Sequence, residues 1–327
     1  MNTPACAVDP ALFTAAAIDP ITAATADKIE AYLQTIPTIL QVGVDLARAA
    51  RLSGKSFLGP IVHVPHAETI EIAGPAGAIP LRVIRAEQPR GIYLHLHGGG
   101  WSFGAHDQQD QLLDEIVKAT GLTAVSVGYR LTPEHPYPAA PDDCEAAALW
   151  LITNAEKEFG APVHTIGGES AGAHLAVVTL VRLRERHALT PFKAASLAYG
   201  AYDLNLTPSV RNWGERNLIL STPIAAQYVD WFAPHGTDRA LPDVSPLYAD
   251  LTGLPPALFT IGTLDPLIDD TLFMAARWNA AGNTGELAVY PGGVHGFNAL
   301  TTFPTPLADT ANDHIAAFLN TTLAPQD

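Results

Sequence analysis

The chain is expected to be an α/β protein: a mostly parallel, doubly wound sheet with an antiparallel start and a helical cap. Three observations predict this. From Gly91 onward, short β-prone runs alternate with amphipathic runs of helix length, the rhythm of a parallel sheet crossed by helices. Ahead of that, two β-prone runs are separated only by Gly74-Pro75-Ala76-Gly77, a turn that can join only an antiparallel pair. Finally, Tyr202 to Pro256 separates two consecutive strands, far more chain than a crossover needs.

Taken in order, residues 1–25 are rich in Ala, Pro and Thr and show little pattern. Asp27 to Arg51 is helix-prone: Ile29, Leu33, Ile36 and Ile39-Leu40 recur at helical spacing, with Pro37 as an interruption. Val62 to Ala73 and Ile79 to Ala86 read as the antiparallel strands. Ile92 to Leu96 is an apolar strand, and Gln108 to Thr120 a helix whose apolar face is Leu112, Ile116 and Ala119, stopped by Gly121. Thr123 to Tyr129 is the next strand and Ala140 to Phe159 the next helix, ended by Gly160. Val163 to Ile166 leads through a glycine-rich turn into a helix from Ala171 to Arg186. Further strands are expected at Ala194 to Ala201, Ala257 to Leu264 and Gly285 to Tyr290, with helices at Ile268 to Ala281 and Leu307 to Leu323.

The long interval after Ala201 carries Trp213, Leu218, Ile219, Tyr228, Trp231 and Phe232. Such density of large apolar side chains calls for burial rather than a surface excursion. The interval is read as an inserted helical cap at about 203–250, joined over the sheet by an N-terminal cap segment, residues 1–55. Residues 56–327 then form the domain that carries the insertion.

Composition bounds the function. The chain has 327 residues, 48% of them hydrophobic and 16% charged, which suits a large folded core. Its net charge of -15 speaks against a phosphate backbone as partner, so no nucleic acid is expected. No apolar run reaches bilayer-spanning length. Met1 to Pro20 has no Lys or Arg ahead of its apolar residues, unlike the basic start of a signal peptide. Cys6 and Cys144 do not make a disulfide framework, and Cys144 is expected as a small packed side chain. A cytoplasmic protein is the expectation.

The chemistry centres on Gly168-Glu169-Ser170-Ala171-Gly172. A Gly-x-Ser-x-Gly pattern alone arises in any glycine-rich strand-to-helix turn. Here a β-prone run leads in and a helix-prone run leads out, the setting of a nucleophile elbow. The turn would strain the serine backbone and lift its hydroxyl to a helix N-terminus, where negative charge is favoured. His97-Gly98-Gly99-Gly100-Trp101 follows the strand ending at Leu96. Such a loop can turn successive N–H groups toward a ligand; Gly98 and Gly99 with Ala171 would make an oxyanion hole. A phosphate-binding reading fails, since neither glycine-rich phosphate motif is met. His95-x-His97 could be two metal ligands, but no third ligand stands at suitable spacing, so no metal is expected.

An acyl-transfer serine needs a base oriented by an acid, in the chain order Ser, acid, His. Of twelve histidines, ten precede the last strand and His314 lies inside the last helix. His295, in Pro291-Gly292-Gly293-Val294-His295-Gly296-Phe297, remains. The acid should follow the strand Ala257 to Leu264; Asp265 is the next residue. Asp269 and Asp270 begin a helix, where capping alone explains acidic residues.

These motifs, together with Tyr129-Arg130-Leu131-Thr132-Pro133-Glu134-His135-Pro136-Tyr137-Pro138-Ala139-Ala140-Pro141-Asp142-Asp143, Asp265-Pro266-Leu267 and His295-Gly296-Phe297, make a specific combination. From about Val62 to its C-terminus the chain resembles the hormone-sensitive-lipase-like carboxylesterases of the α/β-hydrolase superfamily. Glu169 stands where that family usually shows Asp or Thr, and Ile268-Asp269-Asp270 where Arg-Asp-Glu is common. The resemblance implies an α/β-hydrolase fold and a cap built from the N-terminus plus an insertion. It also implies a Tyr-Arg-Leu stretch that supports the elbow and the oxyanion loop, and a homodimer among the states the family adopts. It implies hydrolysis of acyl esters through Ser170, His295 and Asp265 and an acyl-enzyme, with no cofactor; the cap expected over the site would limit its volume and so favour short- to medium-chain acyl groups. Two alternatives stand beside it: a non-catalytic small-ligand receptor on the same fold, as in plants where the histidine is replaced, or a hydrolase of amides or lactones.

Overall fold

The computed structural model describes residues 8–323. It contains one eight-stranded sheet. Before the sheet come α1 (Pro20–Leu33), α2 (Ile39–Val42) and α3 (Val44–Leu52). β1 (Glu68–Gly74) and β2 (Gly77–Ile84) follow, then β3 (Gly91–Leu96), α4 (Asp110–Thr120), β4 (Leu122–Val127), α5 (Ala139–Phe159), β5 (Val163–Glu169), α6 (Ala171–His187) and β6 (Ala194–Ala198). α7 (Pro208–Trp213) and α8 (Thr222–Phe232) lie in the long interval; β7 (Ala257–Leu264), α9 (Ile268–Ala280), β8 (Gly285–Val294) and α10 (Pro306–Leu323) complete the chain.

The strand order is β1-β2-β4-β3-β5-β6-β7-β8. β1 pairs antiparallel with β2, and β2 with β4; every later pair is parallel. β3, β4 and β6 are buried along their whole length, as strands covered on both faces must be. Helices α5, α6 and α9 pack one apolar core, while α4 and α10 pack the other. Cys144, in the first of these cores, is fully buried and free; Cys6 lies outside the described residues.

Several expected boundaries shift, each for a local reason. The helix expected over 27–51 is three helices. α1 begins at Pro20, because Asp19 accepts from the N–H groups of Ile21 and Thr22 and Pro20 fits the first helical position; it ends before Pro37. Gly43, at φ 79°, separates α2 from α3. Residues expected to open the first strand at Val62 instead run irregularly to Glu68, with the Val64 N–H donating to Asp110 Oδ2 at 3.0 Å. β6 stops at Ala198 because Tyr199 takes φ 38°, a left-handed value no strand continues through. β8 runs on through Pro291-Gly292-Gly293 to Val294, past a register shift against β7 and a Gly292 N–H bond to Thr263 Oγ1 of 2.8 Å.

The N-terminal helices and the long interval meet over the C-terminal ends of the parallel strands. Arg216 binds Glu30 of α1 at 2.8 Å. Arg48 of α3 donates from Nε to Ser102 O at 2.9 Å and from Nη2 to Thr132 O at 2.7 Å, and pairs with Glu134 at 2.6 Å. The indole of Trp101 stacks on Phe232 of α8, with centroids 4.6 Å apart. Between these segments and the sheet lies a cavity of about 500 Å³.

Candidate active site

β5 delivers Ser170 to the floor of that cavity. Its backbone sits at φ 55°, ψ -117°, a combination that costs energy for any residue with a Cβ. Packing around the turn enforces it: a Cβ on Gly168 or Gly172 would overlap the Leu96 carbonyl. The two glycines thus let the turn and the start of α6 lie directly against the end of β3, and Ser170 projects from that turn. The Ser170 N–H is held by Ala198 O at 2.9 Å.

His295 Nε2 lies 2.9 Å from Ser170 Oγ, and His295 Nδ1 lies 2.8 Å from Asp265 Oδ2. Asp265 is fully buried, and its other oxygen accepts the Leu267 N–H at 2.9 Å. Three strand ends thus bring together the three residues singled out in the sequence. The Tyr199 ring stands edge-on to the imidazole, centroids 5.1 Å apart, and its hydroxyl donates to Asn298 at 2.7 Å. No short motif flagged Tyr199; its unusual φ at the strand end is visible only in three dimensions.

The loop after β3 lies against this line. Gly99 sits at φ 117°, and a Cβ there would overlap the Phe103 carbonyl, so no side chain fits. The N–H groups of Gly98 and Gly99 meet no protein acceptor among the described residues. Ala171, as the first residue of α6, has no acceptor within its helix. All three residues line the cavity beside Ser170.

The Tyr-Arg-Leu stretch lies against this loop. Tyr129 donates its hydroxyl to His97 O at 2.6 Å and stacks on the His97 ring. Arg130 grips Asp143 through Nε and Nη2 at 2.8 and 2.9 Å. Burial pushes His97 down to about 4, so its imidazole is neutral at pH 7. His174 is likewise lowered to about 4 by burial; its Nδ1 accepts from Trp101 Nε1, leaving Nε2–H to donate to Val244 O at 2.8 Å. His95 and His97 do not converge. His95 joins Ser126 Oγ at 2.9 Å and Glu169 at 3.1 Å, whereas His97 Nδ1 turns to Gly98 O at 2.9 Å. Glu169, which stands where Asp or Thr is usual, thus closes a buried polar rung across β4, β3 and β5.

Two sequence expectations need correction. Asp269 and Asp270 do not cap their own helix or face solvent. Asp270 is buried and accepts from the N–H groups of Tyr202 and Asp203 at 2.7 and 2.9 Å and from Thr207 Oγ1 at 2.6 Å; Asp269 accepts from the Ser209 N–H at 2.8 Å. They tie down the start of the long interval. Of the aromatics expected over the site, only Tyr228 lines the cavity. Trp213, Trp231 and Phe232 are not among the lining residues; the roof contributes mainly aliphatic side chains, Ile39, Leu46, Ile219, Leu220 and Ile224, while Phe57, Trp101, Phe103 and Tyr199 add aromatic surface from outside the long interval.

A parallel sheet with an antiparallel start, a strained serine between β5 and α6, and an acid and a histidine after β7 and β8 define an α/β hydrolase. Comparison with known proteins agrees. A family model described as alpha/beta hydrolase fold matches residues 93–299. The carboxylic ester hydrolase LipN of Mycobacterium tuberculosis is 35% identical over 271 residues, 79% of this chain and 71% of that protein. The ethyl acetate hydrolase of Pseudomonas putida is 32% identical over 231 residues, 67% of this chain and 71% of its own. The solved hyperthermophilic esterase of the archaeon Pyrobaculum calidifontis superposes with a TM-score of 0.81 at 29% identity, covering 94% of this chain and 99% of its own. The chain belongs to the hormone-sensitive-lipase-like α/β hydrolases. Among the described residues, no helix is long and apolar enough to cross a membrane.

Proposed function

We propose that this chain is a carboxylic ester hydrolase acting on short- to medium-chain acyl esters, with Ser170 as nucleophile, His295 as general base and Asp265 as the acid that orients it. The observation that carries this reading is the continuous line from Asp265 Oδ2 through His295 to Ser170 Oγ, with steps of 2.8 and 2.9 Å. Asp265 accepts a hydrogen bond from Nδ1–H and so holds the ring proton there, which leaves the Nε2 lone pair facing the hydroxyl. His295 takes that proton as Ser170 attacks the ester carbonyl. The N–H groups of Gly98, Gly99 and Ala171 receive the developing oxyanion. His295 then protonates the leaving alcohol, and the acyl-serine is cleared by a water that His295 activates.

The size preference rests on the cavity. About 500 Å³ bounded by α1–α3 and the long interval suits a small ester rather than a long-chain triglyceride. Residues 1–55 and about 203–250 act in this reading as one roof in two pieces. The Pseudomonas putida relative acts on a small ester, ethyl acetate, which supports the size preference, and LipN is likewise a carboxylic ester hydrolase. The test is a serine-reactive phosphonate together with a panel of p-nitrophenyl esters of increasing chain length. Label should appear on Ser170 alone, and Ser170→Ala should fold and lose turnover. Label on another serine, or turnover retained by the variant, would overturn the assignment.

A further inference from the structure

One wall of the cavity carries a cation with no counter-ion among the described residues. Arg51, in the last turn of α3, lines the cavity that holds Ser170. Its Nε donates to Gln108 Oε1 at 3.2 Å and its Nη1 to Gly59 O at 2.6 Å, both neutral acceptors. Its Nη2 meets no protein acceptor among the described residues. Burial lowers its pKa with no carboxylate acting against it, yet a guanidinium stays charged at neutral pH. The contrast with Arg48, one turn earlier, is direct, since that side chain has Glu134. The two acidic side chains lining the cavity are engaged elsewhere. Glu169 faces His95, and Asp203 accepts from Asn205 and from the Tyr248 hydroxyl.

A half-desolvated cation without an anion is costly unless something negative visits it. Its surroundings suit such a visitor. Lys55 lines the same end of the cavity, and Gln109 Oε1 is buried there without a hydrogen-bond partner. Rotating that amide would present its NH₂ instead, since oxygen and nitrogen ends are nearly isosteric. A net charge of -15 repels anions from the protein as a whole, so recognition of one requires a local cation.

We propose that Arg51, with Lys55 and Gln109 beside it, forms an anion subsite that selects esters bearing a carboxylate on the end remote from the scissile bond. This rests on the ester-hydrolase reading and names its substrate class. The carboxylate would take the free Nη2–H and displace the weaker Gln108 bond, leaving the chemistry at Ser170 unchanged. One charge-assisted hydrogen bond in a half-buried setting corresponds to about a 10- to 100-fold preference.

The experiment compares matched esters. p-Nitrophenyl hydrogen adipate against p-nitrophenyl hexanoate places the charge on the acyl side. The acetate of 4-hydroxybutanoate against butyl acetate places it on the alcohol side. The ratio of kcat/KM, anionic over neutral, should exceed one for at least one pair and fall at least tenfold in Arg51→Gln. Arg51→Lys should keep most of it, and raised salt should erode it. Calorimetry of monomethyl adipate, which needs no turnover, should detect binding to Ser170→Ala and not to the Ser170→Ala, Arg51→Gln double variant. Ratios unmoved by Arg51→Gln in both pairs, or equal binding by the two proteins, would make Arg51 a pin for Gly59 and overturn the subsite. If wild type hydrolyses neither neutral nor anionic esters, the ester-hydrolase reading falls, and the calorimetry decides the subsite by itself.

Discussion

Replacing Asp265 by Asn tests the site through one proton. Asp265 is fully buried, and its two oxygens have different tasks: Oδ1 accepts the Leu267 N–H at 2.9 Å, and Oδ2 faces His295 Nδ1 at 2.8 Å. An amide must keep its oxygen toward Leu267, because its NH₂ there would set donor against donor. The NH₂ then points at Nδ1, which can only accept. The ring proton moves to Nε2, where it faces Ser170 Oγ and cannot abstract from it. Geometry survives and base catalysis does not. In a serine protease triad the same exchange costs about 10⁴ in kcat, or about 5 kcal/mol of transition-state stabilisation. A loss of that order is expected here with p-nitrophenyl butyrate, alongside a near-native melting curve. Asp269→Asn and Asp270→Asn, which bind the start of the long interval, should keep kcat within about tenfold. The reasoning is refuted if Asp265→Asn retains near-normal kcat while Asp269→Asn collapses.

Other expectations follow from the same geometry. Burial pushes Asp270 up to about 7 from an ordinary 3.8, against three donors that favour the carboxylate. The folded protein therefore keeps this proton when the unfolded chain has lost it. The group's contribution to stability is greatest below about pH 4 and falls as pH rises toward 7, by roughly 4 kcal/mol. Urea unfolding of wild type and Asp270→Asn from pH 4 to 8 should show that slope only in wild type; parallel curves would contradict it. Gly172→Ala drives a methyl into the Leu96 carbonyl and should cost more than about 3 kcal/mol of stability, read by thermal melting; a melting temperature within a degree or two of wild type would contradict the close approach. Deleting residues 1–50 removes Glu30 and Arg48 and bares one side of the cavity, so turnover should drop and binding of an apolar dye rise. An equally active, monodisperse truncation would show that this segment is no part of the roof.

What could be read from the sequence follows the range of the forces involved. β3, β4, β6 and β7 are buried apolar runs with polar or glycine punctuation, a local signal. Ser170, Asp265 and His295 each follow a strand; the glycine-flanked turn singled out the serine, the place right after a strand the acid, and chain order the histidine. Asp19-Pro20 was an N-terminal helix signal that the polar composition of residues 1–25 obscured. Asp270 was less accessible, because its three donors lie more than sixty residues away. The same holds for the rung from Ser126 through His95 to Glu169, which spans three strands. Such pairings leave no periodicity, since the partners share only a place in the sheet. The aromatic content of the interval correctly indicated burial but not direction: Phe232 turned to Trp101, while the roof's share of the cavity wall is mainly aliphatic.

The Arg216–Glu30 bond joins positions 186 apart in the chain. During synthesis from the N-terminus, α1 leaves the ribosome long before its partner exists. The elbow, too, is complete before the last two strands bring Asp265 and His295. Any nascent chain that ends between about residues 200 and 295 therefore has Ser170 in its turn but lacks His295. In the proposed mechanism Ser170 would gain its base only after both pieces of the roof have been made, so a ribosome-bound intermediate is spared from acting on esters it has not yet enclosed.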